Sequence, residues 1–192
     1  MIHQKRRQEL LSRIEDNALV IVCTNSELQR NADVTFPFRP DSSFWYLTGF
    51  IEPDAIAVFS KNNYSIFLRP KDKTKEIWNG KRLGAEAAPE VLLADNAYSI
   101  EEFAEQLDDI INDKTVLYFD NNSTNILAQD IASADNIKTL LPHLSEMRLL
   151  KDEIEIKNMQ TSADLAAAAH TQAMTKVKPG MFEYEIAALF DS

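Results

Sequence analysis

The apolar run Ala18–Cys23 limits the possible folds more than any other part of the chain. It is uninterrupted and rich in β-branched side chains, which is typical of a strand covered on both faces. Further strands are predicted at Asp54–Ser60, Tyr64–Arg69 and Thr115–Asp120, and helical segments separate several of them. Because strands alternate with helices, the sequence indicates an α/β layer structure.

Periodic apolar positions predict the helices of the first 140 residues. The first helix begins near Ile2, and its basic residues 5–7 are expected on a solvated face. Ser99 and Glu102 have the spacing of a capping box and open another helix, on which the paired carboxylates Asp108-Asp109 should be exposed and inert. Residues 121–132 are predicted to form a short helix.

The character of the chain changes near Leu141, where a connector leads into a long helix. Asp152 is the predicted cap of that helix, with Glu155 three residues further on. The helix should stop before Lys178-Pro179-Gly180, and a last helix begins at Phe182. Its apolar face has nothing after it to pack against, which suggests a truncated chain.

Residues 30–54 combine a polar loop with an aromatic segment. Pro37 and Pro40 fix φ and remove two backbone donors, so the first half should be extended loop. Residues 44–48, followed by Gly49, are predicted to form a strand of a core hairpin. Loops on rigid strands often carry binding residues. The polar candidates in this loop are Arg30, Asp33, Arg39, Asp41, Ser42 and Ser43.

The overall charge excludes some classes of function. A formal net charge of −10 argues against a nucleic-acid partner, since such binding depends on a basic surface. The single cysteine, Cys23, lies in a predicted strand and fits a reducing compartment. We find neither a signal peptide nor the ~20 consecutive apolar residues that a membrane span requires, and therefore expect a cytoplasmic protein without a membrane partner.

Several short motifs occur in a fixed order. Residues 30–33, 36–39 and 43–53 read Arg-Asn-Ala-Asp, Phe-Pro-Phe-Arg and Ser-Phe-Trp-Tyr-Leu-Thr-Gly-Phe-Ile-Glu-Pro. Residues 69–72, 76–84 and 87–90 read Arg-Pro-Lys-Asp, Glu-Ile-Trp-Asn-Gly-Lys-Arg-Leu-Gly and Ala-Ala-Pro-Glu. Together they resemble the N-terminal domain of the bacterial aminopeptidase P group, the Xaa-Pro aminopeptidases of the creatinase and prolidase superfamily.

The resemblance implies a domain organisation. Residues 1–144 would form the N-terminal domain, a mixed β-sheet flanked by helices. Residues 145–192 would be the linker and first helices of a truncated catalytic "pita-bread" domain, marked by His-Leu-Ser-Glu-Met-Arg-Leu-Leu-Lys and Lys-Pro-Gly-Met-Phe-Glu-Tyr. Between Asn122 and Pro142 the chain is short for the group and carries few of its residues.

The resemblance also implies a reaction, the removal of the residue that precedes proline at a peptide's N-terminus. The family uses two manganese ions, held by two aspartates, one histidine and two glutamates, all beyond the Lys-Pro-Gly-Met segment. The three histidines here, His3, His143 and His170, have no metal-ligand spacing. We therefore expect no catalytic and no metal-binding residue in this chain, which alone should be inactive.

Two residues are candidate substrate contacts by resemblance. Asp33 would attract a peptide ammonium; its residue type equally suits a loop cap or a partner for Arg30 or Arg39. Trp78 would form a wall of a neighbouring subunit's substrate pocket. By residue type alone, a tryptophan in such a charged segment is more often a surface staple than a ligand-binding residue, and the resemblance shifts that balance. Arg82 suits a structural ion pair. His170 suits a packed or a surface position.

The expected partners follow from the same resemblance. They are peptides with proline at the second position and further copies of the chain, in a dimer or tetramer of the full-length protein. Two alternatives stay open: a stand-alone, non-catalytic interaction module, and the N-terminal domain of a prolidase or creatinase-like enzyme. The Glu-x-Trp-x-Gly-x-Arg-x-Gly setting of Trp78 favours aminopeptidase P over the latter.

Overall fold

A computed structural model describes residues 2–111, 116–120, 131 and 137–190. The backbone of residues 103–110 is described, but the side chains of Asp108 and Ile110 are not. The chain divides into two compact units, residues 1–147 and 148–192. We expected a domain boundary after residue 144, and the division between the units lies after Met147.

The first unit carries most of the secondary structure. In chain order its elements are α1 (Ile2–Ser12), β1 (Ala18–Cys23), β2 (Gln29–Asn31), β3 (Val34–Thr35), α2 (Ser42–Thr48), β4 (Ile56–Phe59), β5 (Tyr64–Leu68), α3 (Lys73–Asn79), α4 (Gly84–Leu92), β6 (Asn96–Ser99), a 3-10 turn (Ile100–Glu102), α5 (Phe103–Ile110), β7 (Val116–Phe119), β8 (Ile137–Lys138) and α6 (Leu141–Met147).

In the described part of the chain, six strands form a mixed sheet in the order β6-β5-β4-β1-β7-β8, and β2 and β3 form a separate hairpin. Strand β1 runs antiparallel to β4, with Val20 opposite Phe59, and parallel to β7, with Val20 opposite Tyr118. Strand β5 is antiparallel to β4 and parallel to β6. The predicted mixed sheet flanked by helices is therefore confirmed.

The sheet is buried on both faces, as the apolar run of β1 predicts. Val20 and Val22 contribute to one core cluster, while Leu19 and Ile21 contribute to another on the opposite face. This separation follows from the two-residue repeat of side-chain direction along a strand. The first cluster includes residues of α1, α2, α4 and α6, and the second includes Phe103 of α5.

The segment of residues 44–48 is helix α2, so the predicted strand and hairpin are wrong. The side chain of Asp41 accepts hydrogen bonds from the backbone N–H groups of Ser43 and Phe44, both at 2.9 Å, and so caps the helix N-terminus. Gly49, at φ +72°, ends the helix. The helix buries Phe44 and Tyr46 and leaves Trp45 41% exposed. A helix forms here instead of a strand because capping and tertiary packing outweigh β-propensity.

The basic residues of α1 are a second correction. Arg6 and Arg7 are only 6% and 5% exposed, whereas Lys5 is exposed as expected. Arg7 Nη1 donates to the carbonyl of Leu47 at 2.9 Å, and its guanidinium lies 3.8 Å from the centre of the Tyr64 ring. The last carbonyls of a helix lack intrahelical partners and attract cations. The cost of burying the Arg7 guanidinium is therefore offset by a hydrogen-bond partner 40 residues away along the chain.

Several other predictions concern the second half of the first unit. Ser99 and Glu102 form the predicted capping box, with Ser99 N–H donating to Glu102 Oε1 at 2.9 Å. The predicted strands at residues 64–69 and 115–120 are present as β5 and β7. Asp109 is exposed. The predicted helix at residues 121–132 lies, apart from the buried Ile131, outside the described residues.

The second unit contains α7 (Glu153–Lys176) and α8 (Glu183–Phe190). Asp152 and Glu155 form the predicted capping box, and α7 ends before Lys178. His170 is exposed, and its ring meets that of Phe190 edge-on at a centroid distance of 5.0 Å. Within the described part of the chain, none of the helices has the length and apolar character needed to cross a bilayer.

The burial of Arg7 generates the first prediction. Replacing Arg7 with Met should lower the free energy of unfolding by about 2–3 kcal/mol, since a charge-assisted hydrogen bond is lost and buried carbonyls are left without their donor. The matched variant Lys5→Met removes an exposed charge from the same helix and should change it by less than about 0.5 kcal/mol. Urea unfolding of both variants measures the difference. Equal losses would contradict the structural role of Arg7.

His3 adds a pH-dependent contact to the same region. Its Nδ1–H donates to the carbonyl of Tyr46 at 3.0 Å, and its ring is edge-on to that of Trp45. Burial is the main cause that lowers the pKa of His3 from its usual 6.5, and the neighbouring charges of Arg6 and Arg7 lower it further, while the hydrogen bond to Tyr46 opposes the change.

This shift generates the second prediction. Because the folded-state pKa lies below the unfolded one, the unfolded chain takes up the proton first as pH falls through 6.5, and stability decreases. The native chain should therefore lose more unfolding free energy between pH 7.5 and pH 5 than His3→Gln, which keeps a donor but does not titrate. Urea unfolding at several pH values measures this. Parallel pH profiles of the two proteins would show that His3 is not responsible.

Candidate functional site

The two predicted site residues lie in two separate segments that connect strands of the six-stranded sheet. Asp33 lies in the two-residue turn between β2 and β3, and Trp78 lies near the end of α3. Among the residues that the structure describes, no hydrogen bond, ion pair or ring contact joins Asp33 to Trp78. The two residues are therefore two separate halves of the candidate site, each with its own support.

Asp33 is an exposed carboxylate at the tip of a hairpin. Ala32, beside it, has φ +45°, which makes the turn tight, and its carbonyl accepts a hydrogen bond from Gln29 Nε2. The guanidinium of Arg30 lies 5.8 Å from the centre of the Phe36 ring. Within the described ranges, neither Arg30 nor Arg39 forms an ion pair with Asp33. The carboxylate is thus open to a ligand.

The base of this loop is fixed by structural hydrogen bonds. Asn25 Nδ2 donates to the carbonyl of Arg39 at 3.1 Å, and the N–H of Asp41 donates to Oγ1 of the fully buried Thr24 at 3.3 Å. Asp41 is occupied as the cap of α2, and Ser42 and Ser43 form its first turn. These three polar residues, which the sequence also allowed as binding candidates, therefore position the loop.

Helix α3 carries the second half of the site and buries none of its side chains. Ile77 and Trp78 are 77% and 84% exposed. Asp72 caps the helix by accepting from the N–H groups of Thr74 and Lys75, at 3.0 and 3.1 Å. These hydrogen bonds, above all that from Lys75, lower the pKa of Asp72. The helix is well formed, yet its largest apolar side chains project into solvent.

An open groove of about 620 Å³ lies beside α3. Its walls carry both signs of charge, from Arg69, Lys75 and Arg82 on one hand and from Glu27 and Asp72 on the other. Arg69 Nη1 lies 3.3 Å from Glu27 Oε2, so part of this charge is already paired. The groove was not predicted from the sequence, although four of its charged residues, Arg69, Lys71, Asp72 and Arg82, belong to the motif segments of residues 69–72 and 76–84.

Arg82 makes a hydrogen bond to the backbone. Its Nη1 donates to the carbonyl of Pro70 at 2.9 Å, and its charge contributes to the lowered pKa of Asp72. In the described segments no carboxylate lies within ion-pairing distance of its guanidinium. The structural ion pair that its residue type suggested is therefore replaced by a contact to a main-chain oxygen.

The side chains suited to metal binding are dispersed. Among the described residues, no group of three or more His, Cys, Asp or Glu side chains is arranged to hold a metal ion. His143 lies edge-on to the ring of Tyr118, and the other two imidazoles have the structural contacts given above. Cys23 is buried, and burial raises the pKa of its thiol to about 12, so the thiol is unreactive.

Comparisons with known proteins agree with this architecture. Residues 3–118 match the family "Aminopeptidase P, N-terminal domain". The chain is 40% identical to the Xaa-Pro aminopeptidase of Haemophilus influenzae over 191 residues, which cover 95% of this chain and 44% of that protein. It is 36% identical to the Xaa-Pro aminopeptidase of Escherichia coli over 203 residues, with 95% of this chain and 46% of that protein covered.

Solved structures give the same picture. A variant of Escherichia coli aminopeptidase P in complex with substrate matches 98% of this chain with a TM-score of 0.91 and 33% identity. Proline aminopeptidase P II from Yersinia pestis matches the same share with a TM-score of 0.90 and 34% identity. In both cases this chain covers 48% of the other chain. The chain thus spans about half the length of the relatives it matches.

Proposed function

The chain belongs to the aminopeptidase P N-terminal domain family, and from this premise we propose that it is the N-terminal part of a metal-dependent Xaa-Pro aminopeptidase. The complete enzyme releases the N-terminal residue that precedes proline, in the cytoplasm. The observation that carries this proposal is the similarity, over 98% of the chain, to an aminopeptidase P solved in complex with substrate.

The metal in this proposal is a pair of manganese ions, which would supply Lewis-acid activation of water and of the scissile carbonyl. The metal ligands are proposed to lie in parts of the protein outside this chain. Among the described residues, no group of three or more His, Cys, Asp or Glu side chains is arranged to hold a metal ion. What this chain contributes is the admission and orientation of the peptide. Alone, it is proposed to be inactive.

Asp33 is proposed to attract the substrate's terminal ammonium. Its carboxylate is exposed and is free of ion pairs among the described residues, so it can reach a cation without first breaking another contact. Two opposite unit charges 4 Å apart attract each other by about 1 kcal/mol in water and by about 4 kcal/mol at an effective dielectric of 20. The contribution therefore grows as the peptide enters a partly desolvated cleft.

Trp78 is proposed to form an apolar wall for the substrate pocket of a neighbouring subunit. Aromatic side chains bury about 150–250 Å² each, and burial of apolar surface is worth roughly 25 cal/mol per Å². Ile77 and Trp78 together present such surface at one end of α3. On this basis the complete protein is proposed to be a homo-oligomer, a dimer or a tetramer.

A second candidate is a stand-alone interaction module. The observation in its favour is the same exposed pair, Ile77 and Trp78, because exposed apolar side chains on a regular helix equally suit a protein partner without any catalysis. This candidate predicts no peptide cleavage under any metal condition.

The activity test uses the product of the complete reading frame that contains this chain. We expect release of the first residue from an Ala-Pro-containing peptide, in the presence of Mn²⁺, and no release from an otherwise equal Ala-Ala peptide. Chelation should abolish the reaction, and Mn²⁺ should restore it. Cleavage of neither peptide would move the interaction module to first place, and equal cleavage of both would exclude specificity for proline.

Variants of the same product test the two site residues. Asp33→Asn should raise KM for the proline peptide about tenfold, since a charge attraction of a little over 1 kcal/mol is lost. Trp78→Ala should raise it by a similar factor through lost apolar contact. Asp16→Asn and Val91→Ala remove an exposed carboxylate and an exposed apolar side chain elsewhere on the domain and should leave KM unchanged. Unchanged KM in Asp33→Asn or Trp78→Ala would remove that residue from the site.

A further inference from the structure

Helix α3 depends on polar contacts for its position. It buries no side chain. The hydrophobic effect, which holds other helices of the first unit against the sheet, therefore contributes little to its position. The segment leaves the sheet after β5 at Pro70 and rejoins the packed part of the domain at the buried Gly84. Whatever fixes the two ends of this segment therefore fixes the direction in which Trp78 projects.

Arg82 joins the two ends. Its guanidinium Nη1 donates to the carbonyl of Pro70 at 2.9 Å, where the segment begins, and its backbone N–H donates to Glu76 Oε1 at 3.3 Å, in the middle of α3. One residue thus contacts the start of the segment, the helix itself and the return to α4.

Glu52 fastens the returning chain to the domain. Its Oε1 accepts a hydrogen bond at 2.7 Å from the N–H of Leu83, which is the residue directly after Arg82. Glu52 lies three residues beyond Gly49, which ends α2, so the contact ties the segment to an element that is buried in the core. The side chain of Glu52 is itself half-buried.

We propose that Arg82 is a positioning residue. Its two hydrogen bonds and that of Glu52, together called the latch, hold residues 70–83 in place and so set the position of Trp78 at the substrate pocket. This inference rests on the proposed function of Trp78. It assigns to Arg82 no contact with the substrate. It also explains why the guanidinium is directed at a main-chain carbonyl and not at a carboxylate: the carbonyl of Pro70 is the fixed point at which the segment leaves the sheet.

The side chain of arginine suits this role better than that of lysine. A guanidinium offers five N–H donors in a rigid fork, so it holds a carbonyl oxygen in a defined direction, whereas an ammonium is a mobile point charge. Gly80, at φ +84° and with open space around it, allows the sharp turn that brings Arg82 back toward Pro70. The latch is thus built from one glycine turn and one rigid donor.

The first test measures the latch without reference to activity. In the complete product, Arg82→Met should raise the amide hydrogen-exchange rates of residues 76–79 about tenfold, because opening of the segment then lacks a charge-assisted hydrogen bond. Arg82→Lys should give a smaller increase. The matched control Lys81→Met removes the neighbouring exposed charge and should leave the rates unchanged. Equal rates in Arg82→Met and the native protein would overturn the proposal.

The second test asks whether the latch acts through Trp78. Arg82→Met should raise KM for the proline peptide about fivefold with kcat unchanged, and should cause no further rise in a Trp78→Ala background, since coupled residues are not additive. Additive effects would overturn the positioning role. If Trp78→Ala alone leaves KM unchanged, the proposed function of Trp78 fails, while the exchange experiment still decides whether Arg82 latches the segment.

Discussion

The buried contact between Arg7 and the C-terminal end of α2 supports both halves of the candidate site. Its guanidinium donates to the carbonyl of Leu47, and Arg6 and His3 reach the carbonyl of Tyr46. Three donors from α1 thus meet the carbonyls that α2 cannot satisfy internally. A buried cation is costly without partners, so this arrangement is stable only when both helices are in place. The two helices therefore stabilise each other on the sheet.

Helix α2 connects this buried contact to both candidate residues, one through each of its ends. At its N-terminus Asp41 caps the helix and ends the loop that carries Asp33. At its C-terminus Gly49 turns the chain tightly against the His3 ring, and Glu52 follows to bind the N–H of Leu83. The loop of Asp33 and the segment of Trp78 thus share one buried anchor, although no direct contact between the two residues exists in the described part of the chain.

The predictability of each element from sequence follows the range of the forces that form it. The strands β1, β5 and β7 were predicted because burial on both faces leaves apolar runs in the sequence. The helix at residues 42–48 was missed because its aromatic composition suits a strand, and its helical state depends on Asp41, Gly49 and donors from α1. The burial of Arg6 and Arg7 was also missed, since their partners lie some 40 residues away. The motifs indicate Asp33 and Trp78 as candidates, but the contact of Arg82 with Pro70 is visible only in three dimensions.

The way α3 is held has a physical reason. If its apolar side chains anchored it, Ile77 and Trp78 would be buried against the domain and could not contribute surface to another molecule. The segment is held without using that surface, by hydrogen bonds that Asp72 and Glu52 accept and one that Arg82 donates. Such contacts each contribute only about 0.5–3 kcal/mol, so several are needed to replace one packed face. A helix fixed by polar contacts at its ends is therefore the arrangement that keeps a tryptophan both exposed and in a defined position.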